Sequence, residues 1–354
     1  MRICQVTQRF NPYIGGVETH VEEISKRLQE KGLDVEVLTT DPSGKLKRTE
    51  IVENVKVRRF RSFAPNEAYF LSPGLEKYLR QNTASYDIVH AHCYGAFPAL
   101  HAARTKRTNK FVFTPHYHQA GHTFLRSLLH VPYRFLGEQI FKKADKVICV
   151  SQFEKRLILR HFDIAEKSII VIPNGINTND IRRFKKQNVK GRAILYVGRL
   201  EKYKGVHFLI EALPTLDDDI SLRIIGKGPY KDQLTKLVNQ LGLTDRVDFF
   251  QDLPREQLLQ EYANADVFAL LSNHEAFGIS VAEALSAGIP CIVLNESALT
   301  EWVDGTNCFG IDYPVDLHQL RSLINKVISQ RANAPNLLDW DQVAERIFDE
   351  YRHL

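Results

Sequence analysis

The chain alternates short β-prone runs with helical stretches, and after a polar break it starts the same pattern again. The first series runs from RICQV near the N-terminus to SIIVIP, and the second runs from AILYVG to CIVLN. Strands that alternate with helices are typical of βαβ units and therefore of parallel sheets. The break, residues 177–192, is polar, charged and without hydrophobic periodicity. We therefore predict two α/β domains, a number that also suits a length of 354 residues.

The composition is that of an ordinary globular protein, with 44% hydrophobic and 25% charged residues. The N-terminus has no apolar core of the signal-peptide kind, and no run of about 18 apolar residues occurs, so neither a signal peptide nor a membrane span is expected. The five cysteines are scattered and form no CxxC pair, which argues against a disulfide framework or a cysteine zinc site. We expect a cytoplasmic protein.

Charge is distributed unevenly. Residues 1–190 hold 32 lysines and arginines against 18 aspartates and glutamates, a balance of +14, and the remainder has a balance of −9. This predicts an anionic partner for the first half, although a solvated basic surface is the alternative. Residues 126–146 mix bulky apolar side chains with Arg126, Arg134, Lys142 and Lys143, which suits an anionic membrane surface as well as an ordinary core helix. The aromatic residues form no stacking platform, so nucleic acid is not expected as a partner.

Two carboxylates flank a glycine in HEAFGISVAEALSAG, residues 274–288, where a strand is predicted to turn into a helix. Glu275 lies in the loop and Glu283 about one turn into the helix. Gly278 permits a close backbone approach, and the amides around it predict an anion site at the helix N-terminus. Glu283 can accept hydrogen bonds from the hydroxyl groups of a ligand, and Glu275 lies ahead of it in the loop. The alternative is that Glu275 only caps the helix.

A basic loop, VGRLEKYKG, follows the first strand of the second series. It places Arg199 and Lys204 just beyond the strand end at Gly198. A guanidinium fork and a compact ammonium suit a diphosphate, and fixed cations stabilise a leaving diphosphate more as its charge grows. The alternative is two exposed basic side chains.

The first half offers a Gly15–Gly16 pair before a helix and the histidines of FTPHYHQAGH, namely His116, His118 and His122. A lone glycine pair is weak evidence for a phosphate site. Histidine clusters bind zinc, but no acidic or cysteine ligand stands nearby, so no metal site is expected.

Five segments in order resemble glycosyltransferase family 4: NPYIGGVETHV, FTPHYH, VIPNGI, VGRLEKYKG and EAFGISVAE, the last matching an E-x7-E signature. The resemblance implies an α/β protein of the GT-B fold, with two Rossmann-like parallel-sheet domains facing a central cleft. It implies an acceptor domain over residues 1–182, joined by the C-terminal helix 340–354, and a donor domain over 183–339. From the residues alone that helix can pack on either domain.

The resemblance also implies a retaining, metal-independent hexosyltransferase that uses a nucleotide sugar and no cofactor. The donor base, in UDP, GDP or ADP, is left open. No enzymic nucleophile is evident, which favours front-face displacement. With the basic first half, we expect a lipid or glycan-precursor acceptor and peripheral contact with the inner face of the cell membrane; a soluble acceptor is the alternative. A nucleotide-sugar 2-epimerase and a non-catalytic nucleotide-sugar binding protein are the competing functions.

The site residues that the resemblance and the loops indicate fall into three groups. Catalysis is assigned to His116, Arg199, Lys204 and Glu275. His118 and Tyr117 are candidates for the acceptor side of the cleft, and whether His116 or His118 meets the donor sugar is open. Donor contacts are expected from Gly15, Gly16, Asn174, Gly198, Arg199, Lys204, Gly226, Gly228, Asp252, Leu253, Glu275, Ala276, Phe277, Gly278, Ile279 and Glu283.

Overall fold

The computed structural model describes residues 1–65, 68–118, 135–187 and 191–354. The chain divides into two compact units: Met1–Gly175 with Leu338–Leu354, and Ile176–Leu337. The division comes earlier than the boundary expected after residue 182, because Ile176 and Ile181 are buried in the core of the second unit. Part of the expected linker, Thr178–Arg183, is a helix.

The described residues of the first unit form an eight-stranded sheet with five helices along the same part of the chain. The sheet order is β3-β4-β2-β1-β5-β6-β7-β8, and every neighbouring pair is parallel except β3 with β4. The strands are β1 (Arg2–Val6), β2 (Asp34–Asp41), β3 (Thr49–Val52), β4 (Val55–Arg61), β5 (Ile88–His92), β6 (Lys110–Thr114), β7 (Lys146–Cys149) and β8 (Ile169–Val171), and the helices are α1 (Gly16–Glu30), α2 (Pro73–Asn82), α3 (Phe97–Thr105), α4 (135–143) and α5 (Gln152–His161).

The second unit has a six-stranded, fully parallel sheet in the order β11-β10-β9-β12-β13-β14. This is the strand order of a dinucleotide-type Rossmann sheet, in which the chain changes direction between β9 and β12. The strands are β9 (Arg192–Val197), β10 (Ile220–Ile225), β11 (Val247–Phe250), β12 (Val267–Leu270), β13 (Cys291–Leu294) and β14 (Cys308–Ile311), and the helices are α6 (Thr178–Arg183), α7 (Val206–Ala212), α8 (Lys231–Gln240), α9 (Arg255–Asn264), α10 (Ile279–Ser286) and α11 (Leu317–Val327).

The last helix, α12 (Trp340–Arg352), returns to the first unit. Asp339 caps it in a capping box with Gln342, and its apolar face buries Trp340, Val343, Ile347 and Tyr351. These side chains pack in the same core as α1 and one face of the sheet. None of the described helices is both long and apolar enough to cross a bilayer.

The two faces of the first sheet follow from the two-residue period of a strand. Along β5, Val89 and Ala91 join the core under α2, α3 and α5, whereas Ile88 joins the core under α1 and α12. His90 and His92 continue the Ile88 face toward the carboxyl end of the strand. This face therefore changes from apolar to polar where parallel α/β sheets bind ligands.

Candidate active site

The predicted donor residues of the second unit lie on loops at one edge of its sheet. Glycine or basic residues follow β9 and β10, Asp252 and Leu253 follow β11, and Glu275 to Ile279 follow β12. Because β9 has β10 on one side and β12 on the other, the loops after β9 and β12 leave in opposite directions at this edge. That is the topological switch point at which open α/β sheets form their binding crevice.

Lys204 and Glu275 form an ion pair at this edge. The lysine Nζ lies 2.5 Å from the glutamate Oε1, and the two side chains are 13% and 16% exposed. The loops are joined by the Asn273 amide, which donates to the Tyr203 carbonyl at 3.0 Å. Burial acts to lower the pKa of Lys204, but the Glu275 carboxylate outweighs it and the pKa is raised. The ammonium therefore stays charged in a sheltered position.

Two aromatic rings support this pair, and sequence reasoning missed both. The Lys204 Nζ lies 5.3 Å from the centre of the Tyr203 ring, and the His274 ring lies 5.7 Å from Tyr203. A ring face under an ammonium adds a cation–π attraction. The sequence signal was present, since Tyr203 precedes Lys204 and His274 precedes Glu275, but neighbours in sequence gave no distance across the loops.

Arg199 occupies a more open position than Lys204. Its guanidinium Nη2 lies 3.1 Å from Glu201 Oε1, and the side chain is 38% exposed. The Tyr196 hydroxyl donates to the Arg199 carbonyl at 2.7 Å, which fixes the strand end. The two predicted diphosphate cations thus have different partners, Glu201 for Arg199 and Glu275 for Lys204.

Helix α10 begins at Gly278, whose φ of +93° is in the left-handed region that favours glycine. No side chain caps this helix. The preceding loop is held by side chains from one later segment: Ser297 accepts from the Glu275 amide at 3.1 Å, and Trp302 donates to the Phe277 carbonyl at 2.6 Å. The first amides of α10 are therefore held in place without a capping side chain, as an anion site at a helix N-terminus requires.

Glu283 lies within α10 and is 8% exposed. The Tyr262 hydroxyl donates to its Oε2 at 2.9 Å, and the Arg255 Nη1 lies 2.7 Å from its Oε1. Tyr262 and Arg255, both from α9, were not foreseen. Tyr262 is fully buried and orients the carboxylate, while the Arg255 side chain is 46% exposed.

In the first unit, the switch point between β1 and β5 carries the glycine pair and a histidine cluster. Gly15 is extended, and a β-carbon there would overlap the Glu18 carboxylate, which pairs with Arg9 at 2.9 Å. Gly16 begins α1. The pair therefore lets a buried carboxylate lie against the backbone at the start of α1, a packing reason that the sequence did not show.

Four histidines lie together on the polar end of this sheet face. The His20 and His116 rings are 5.0 Å apart, His20 and His92 are 5.5 Å apart, and His90 and His92 are 4.2 Å apart. Asn174 Oδ1 lies 2.6 Å from His20 Nδ1. Burial lowers the pKa of His20 to about 4 and holds those of the other three well below the ordinary value. All four rings are neutral at physiological pH.

The remaining residues of the histidine motif have different surroundings. The Tyr117 side chain is buried at 3% exposure, its hydroxyl lies 2.9 Å from His161 Nδ1, and its ring packs edge-on against Tyr94. Tyr117 is therefore a core residue of the first unit, and its assignment to the acceptor side stays a prediction. Its backbone amide donates to Glu154 at 2.5 Å and fixes the loop after His116. His118 is partly buried, and His122 lies outside the described residues.

Known proteins resemble the chain over nearly its whole length. It matches the family models Glycosyltransferase Family 4 over residues 14–180 and Glycosyl transferases group 1 over residues 177–342. It is 26% identical to the GDP-mannose:cellobiosyl-diphosphopolyprenol alpha-mannosyltransferase of Xanthomonas campestris, over 99% of this chain and 96% of that protein. It is 30% identical to a glycogen synthase of Mycobacterium tuberculosis, over 94% of this chain and 87% of that protein. The chain belongs to glycosyltransferase family 4.

Solved structures confirm the fold of this family 4 member. Sucrose-phosphate synthase from Thermosynechococcus elongatus superposes with a TM-score of 0.83 at 19% identity, covering 99% of this chain and 98% of that one. Anabaena HepE in complex with UDP-glucose gives a TM-score of 0.81 at 20% identity, with both chains fully covered. The GT-B fold and the family predicted from the sequence are therefore confirmed, and the protein is a glycosyltransferase.

The glycines after β10 allow two backbone segments of this family 4 chain to lie in close contact. Gly226 has a φ of +152°, and a β-carbon there would overlap the Gly198 carbonyl; one at Gly228 would overlap that of Leu200. The two loops are hydrogen bonded, since the Leu200 amide donates to the Lys227 carbonyl at 3.0 Å. These glycines let the loop after β10 lie directly on the loop that carries Arg199.

We expect Gly226→Ala to destabilise the second unit, because no L side chain suits this backbone and the β-carbon has no space. Backbone strain of this kind costs on the order of 1–3 kcal/mol, and the collision adds to it. Gly242→Ala is the matched control in the same unit, since Gly242 also has a positive φ of +67° but open space around it. Urea unfolding compares the two. Equal losses of stability in both variants would contradict the contact between the loops.

Proposed function

We propose that the protein is a retaining hexosyltransferase that binds a nucleotide sugar through its second unit and moves the hexose to an acceptor hydroxyl. The observation that carries this proposal is the sheltered Lys204–Glu275 pair beside the glycine-capped start of α10, at the switch point of the sheet. It is supported by the GDP-mannose donor in the name of the Xanthomonas relative and by the UDP-glucose in the HepE complex. The 2-epimerase and binding-protein alternatives gain no support from these names.

Each part of the donor has a candidate partner in this arrangement. Lys204 and Arg199 meet the diphosphate, whose negative charge grows as the bond to the anomeric carbon breaks. Glu283, held by Tyr262, accepts from the ribose hydroxyls. Glu275 accepts from a hexose hydroxyl while its ion pair with Lys204 links sugar and diphosphate recognition. His116 remains the proposed residue of the first unit for the donor sugar.

We infer a front-face displacement. The bond between the anomeric carbon and the diphosphate oxygen breaks, the acceptor oxygen bonds to the same face of that carbon, and the acceptor proton passes to a leaving phosphate oxygen. Glu275 does not suit a nucleophile, since its carboxylate is paired with an ammonium at 2.5 Å. Because Lys204 and Arg199 supply fixed positive charge, we also infer that transfer needs no divalent cation.

Donor binding and turnover test the proposal. A thermal-shift screen with UDP, GDP and ADP identifies the base, and the corresponding sugars are then assayed with lipid-linked and soluble acceptors in EDTA. We expect stabilisation by one nucleotide and an α-linked product from an α-linked donor. Conversion of the donor sugar to its 2-epimer with release of free nucleotide, in the absence of acceptor, would instead establish the epimerase. Stabilisation by none of the three nucleotides would contradict the donor site.

We propose further that the acceptor is a lipid or glycan precursor met at the cytoplasmic face of the membrane. The first unit of the structure holds 29 basic and 22 acidic residues, and the second unit holds 18 basic and 20 acidic residues. The net charges of the two units, +7 and −2, differ by less than those of the two parts of the sequence, +14 and −9. The reason is that α12 adds acidic residues to the first unit, whereas the basic residues near 182–190 belong to the second. Support comes from α4, where Phe135 is 72% exposed and Lys142 and Lys143 are exposed, with Lys142 paired to Glu138 at 2.6 Å. Arg126 and Arg134 lie outside the described residues.

We expect the protein to sediment with phosphatidylglycerol vesicles at low salt and to be released as salt rises, since each surface lysine contributes about 1 kcal/mol near an anionic leaflet. Lys142→Glu with Lys143→Glu should reduce sedimentation, whereas the same charge change at Lys236 and Lys326, in the second unit, should not. Equal sedimentation of both double variants, or none by the parent protein, would contradict membrane contact through α4.

A further inference from the structure

Three histidines from separate parts of the first unit bring their rings together. His20 lies in α1, His92 ends β5 and His116 follows β6. One nitrogen from each ring lies within 4.8 Å of the other two. His20 and His92 are fully buried, and His116 is partly exposed with its Nε2 buried. The cluster was not foreseen, because the three residues stand far apart in the sequence.

Hydrogen bonds to neighbouring amide side chains determine which nitrogen carries the lone pair in the His20 and His92 rings. The Asn174 Oδ1 accepts from His20 Nδ1 at 2.6 Å, and the Gln5 Oε1 accepts from His92 Nε2 at 2.7 Å. The Gln5 amide is oriented in turn by its Nε2, which donates to the Tyr351 hydroxyl at 3.4 Å. A neutral imidazole that donates from one nitrogen has its lone pair on the other. The lone pairs of His20 and His92 are therefore on Nε2 and Nδ1.

These two lone pairs and the Nε2 atom of His116 have no hydrogen-bond partner among the described residues. Among the described residues, His20 Nε2, His92 Nδ1 and His116 Nε2 form no hydrogen bond although all three atoms are buried. Leaving a buried polar atom unsatisfied costs on the order of 1–3 kcal/mol. Three unpartnered nitrogens on rings that meet in one cluster suit a group that accepts lone pairs.

We propose that His20, His92 and His116 bind a divalent transition-metal ion of the zinc class, with a fourth coordination position open. Neutral imidazole nitrogen is a preferred zinc ligand, and bound histidines usually donate their other N–H to a carbonyl or carboxylate, as His20 and His92 do to Asn174 and Gln5. The ligand nitrogens lie within 4.8 Å of one another, and a tetrahedral ion with Zn–N distances of about 2.0–2.1 Å draws them closer together. The positive φ of His116, +47°, is a backbone cost of the kind found where a side chain is held for a function.

The consequence for activity rests on the function proposed above. A metal on His116 withdraws this ring from the donor sugar, so zinc inhibits a transferase that otherwise needs no metal. The ion is in this case a regulator of transfer rather than part of its chemistry.

The test uses the full chain without a polyhistidine tag, stripped with EDTA and then dialysed. Titration with Zn²⁺ in the calorimeter should show about one equivalent bound, and Co²⁺ should give the visible bands of tetrahedral coordination by nitrogen. His116→Asn and His92→Asn should abolish both responses, and Asn174→Ala should weaken zinc binding about 10- to 100-fold. His318→Asn, at an exposed position of the second unit, is the matched control and should bind as the parent does.

Circular dichroism shows whether the buried His92→Asn variant is folded, and the partly exposed His116→Asn keeps the test decisive if it is not. Absence of zinc binding by the parent protein, or equal binding by the His116→Asn and Asn174→Ala variants, would overturn the site. Stoichiometric binding without inhibition of transfer would keep the metal site and refute the role of His116 in donor binding.

Discussion

Lys204→Ala should lower turnover about 100- to 1000-fold while nucleotide-sugar binding falls much less, because the ammonium opposes charge that develops on the leaving diphosphate. The effect is large because the side chain is only 13% exposed, so little water replaces it. Arg199→Ala should also depress turnover, and by less, since the guanidinium is 38% exposed and screened by solvent. Initial rates at saturating donor measure both.

Lys202→Ala is the matched control because it removes the same charge from the same helical turn, Lys202–Lys204, at an exposed position. Lys204→Ala also leaves Glu275 unpaired, so its melting temperature and that of Lys204→Arg must be measured with the rates. Near-parent turnover in Lys204→Ala, or an equal loss in Lys202→Ala, would show that the diphosphate lies elsewhere.

Substitutions of Glu283 and Glu275 should have different effects, the first on nucleotide binding and the second on sugar transfer. We expect Glu283→Gln to weaken binding of the free nucleoside diphosphate about 10- to 100-fold, the loss of one or two charge-assisted hydrogen bonds. Glutamine keeps the shape of the buried side chain beside Tyr262. Glu275→Gln should leave nucleotide binding unchanged and reduce kcat, because its proposed contact is with the hexose.

Calorimetric titration with nucleotide alone, followed by transfer assays, distinguishes the two roles. Glu256→Gln, on the exposed side of α9 next to Arg255, serves as the control for a lost carboxylate charge. If Glu275→Gln weakened nucleotide binding and Glu283→Gln did not, the two assignments would be reversed. Arg255→Ala should strengthen nucleotide binding if Arg255 competes with ribose for Glu283.

Strands rich in β-branched residues were predictable from the sequence, and the predicted bounds agree within one or two residues in cases such as RICQV and AILYVG. Sequence reasoning missed β3 and β14. The first is a four-residue antiparallel edge strand, TEIV, with two polar residues, and the second, CFGI, contains a glycine that lowers its β-propensity. Both are recognised in the structure by their pairing with a neighbour, which a single run of residues does not contain.

The candidate site shows the same limit at the level of side chains. The motifs located Lys204 and Glu275 separately, since each follows a strand, but their ion pair depends on β9 and β12 being neighbours. Likewise, His90 and His92 lie in a strand and His20 lies in a helix, far apart from His116 in the sequence. Their meeting with His116 depends on the order of strands in the sheet and on the packing of α1, neither of which local periodicity specifies.

The return of α12 has a consequence for synthesis of the chain. The first unit combines Met1–Gly175 with Leu338–Leu354, so its core lacks Trp340, Val343, Ile347 and Tyr351 until α12 has emerged from the ribosome. The second unit, Ile176–Leu337, is continuous and is available for folding earlier. The unit that is made first is therefore completed last. A chain that stops before α12 exposes the apolar face of α1 and deprives His90 and Gln5 of the Tyr351 hydroxyl.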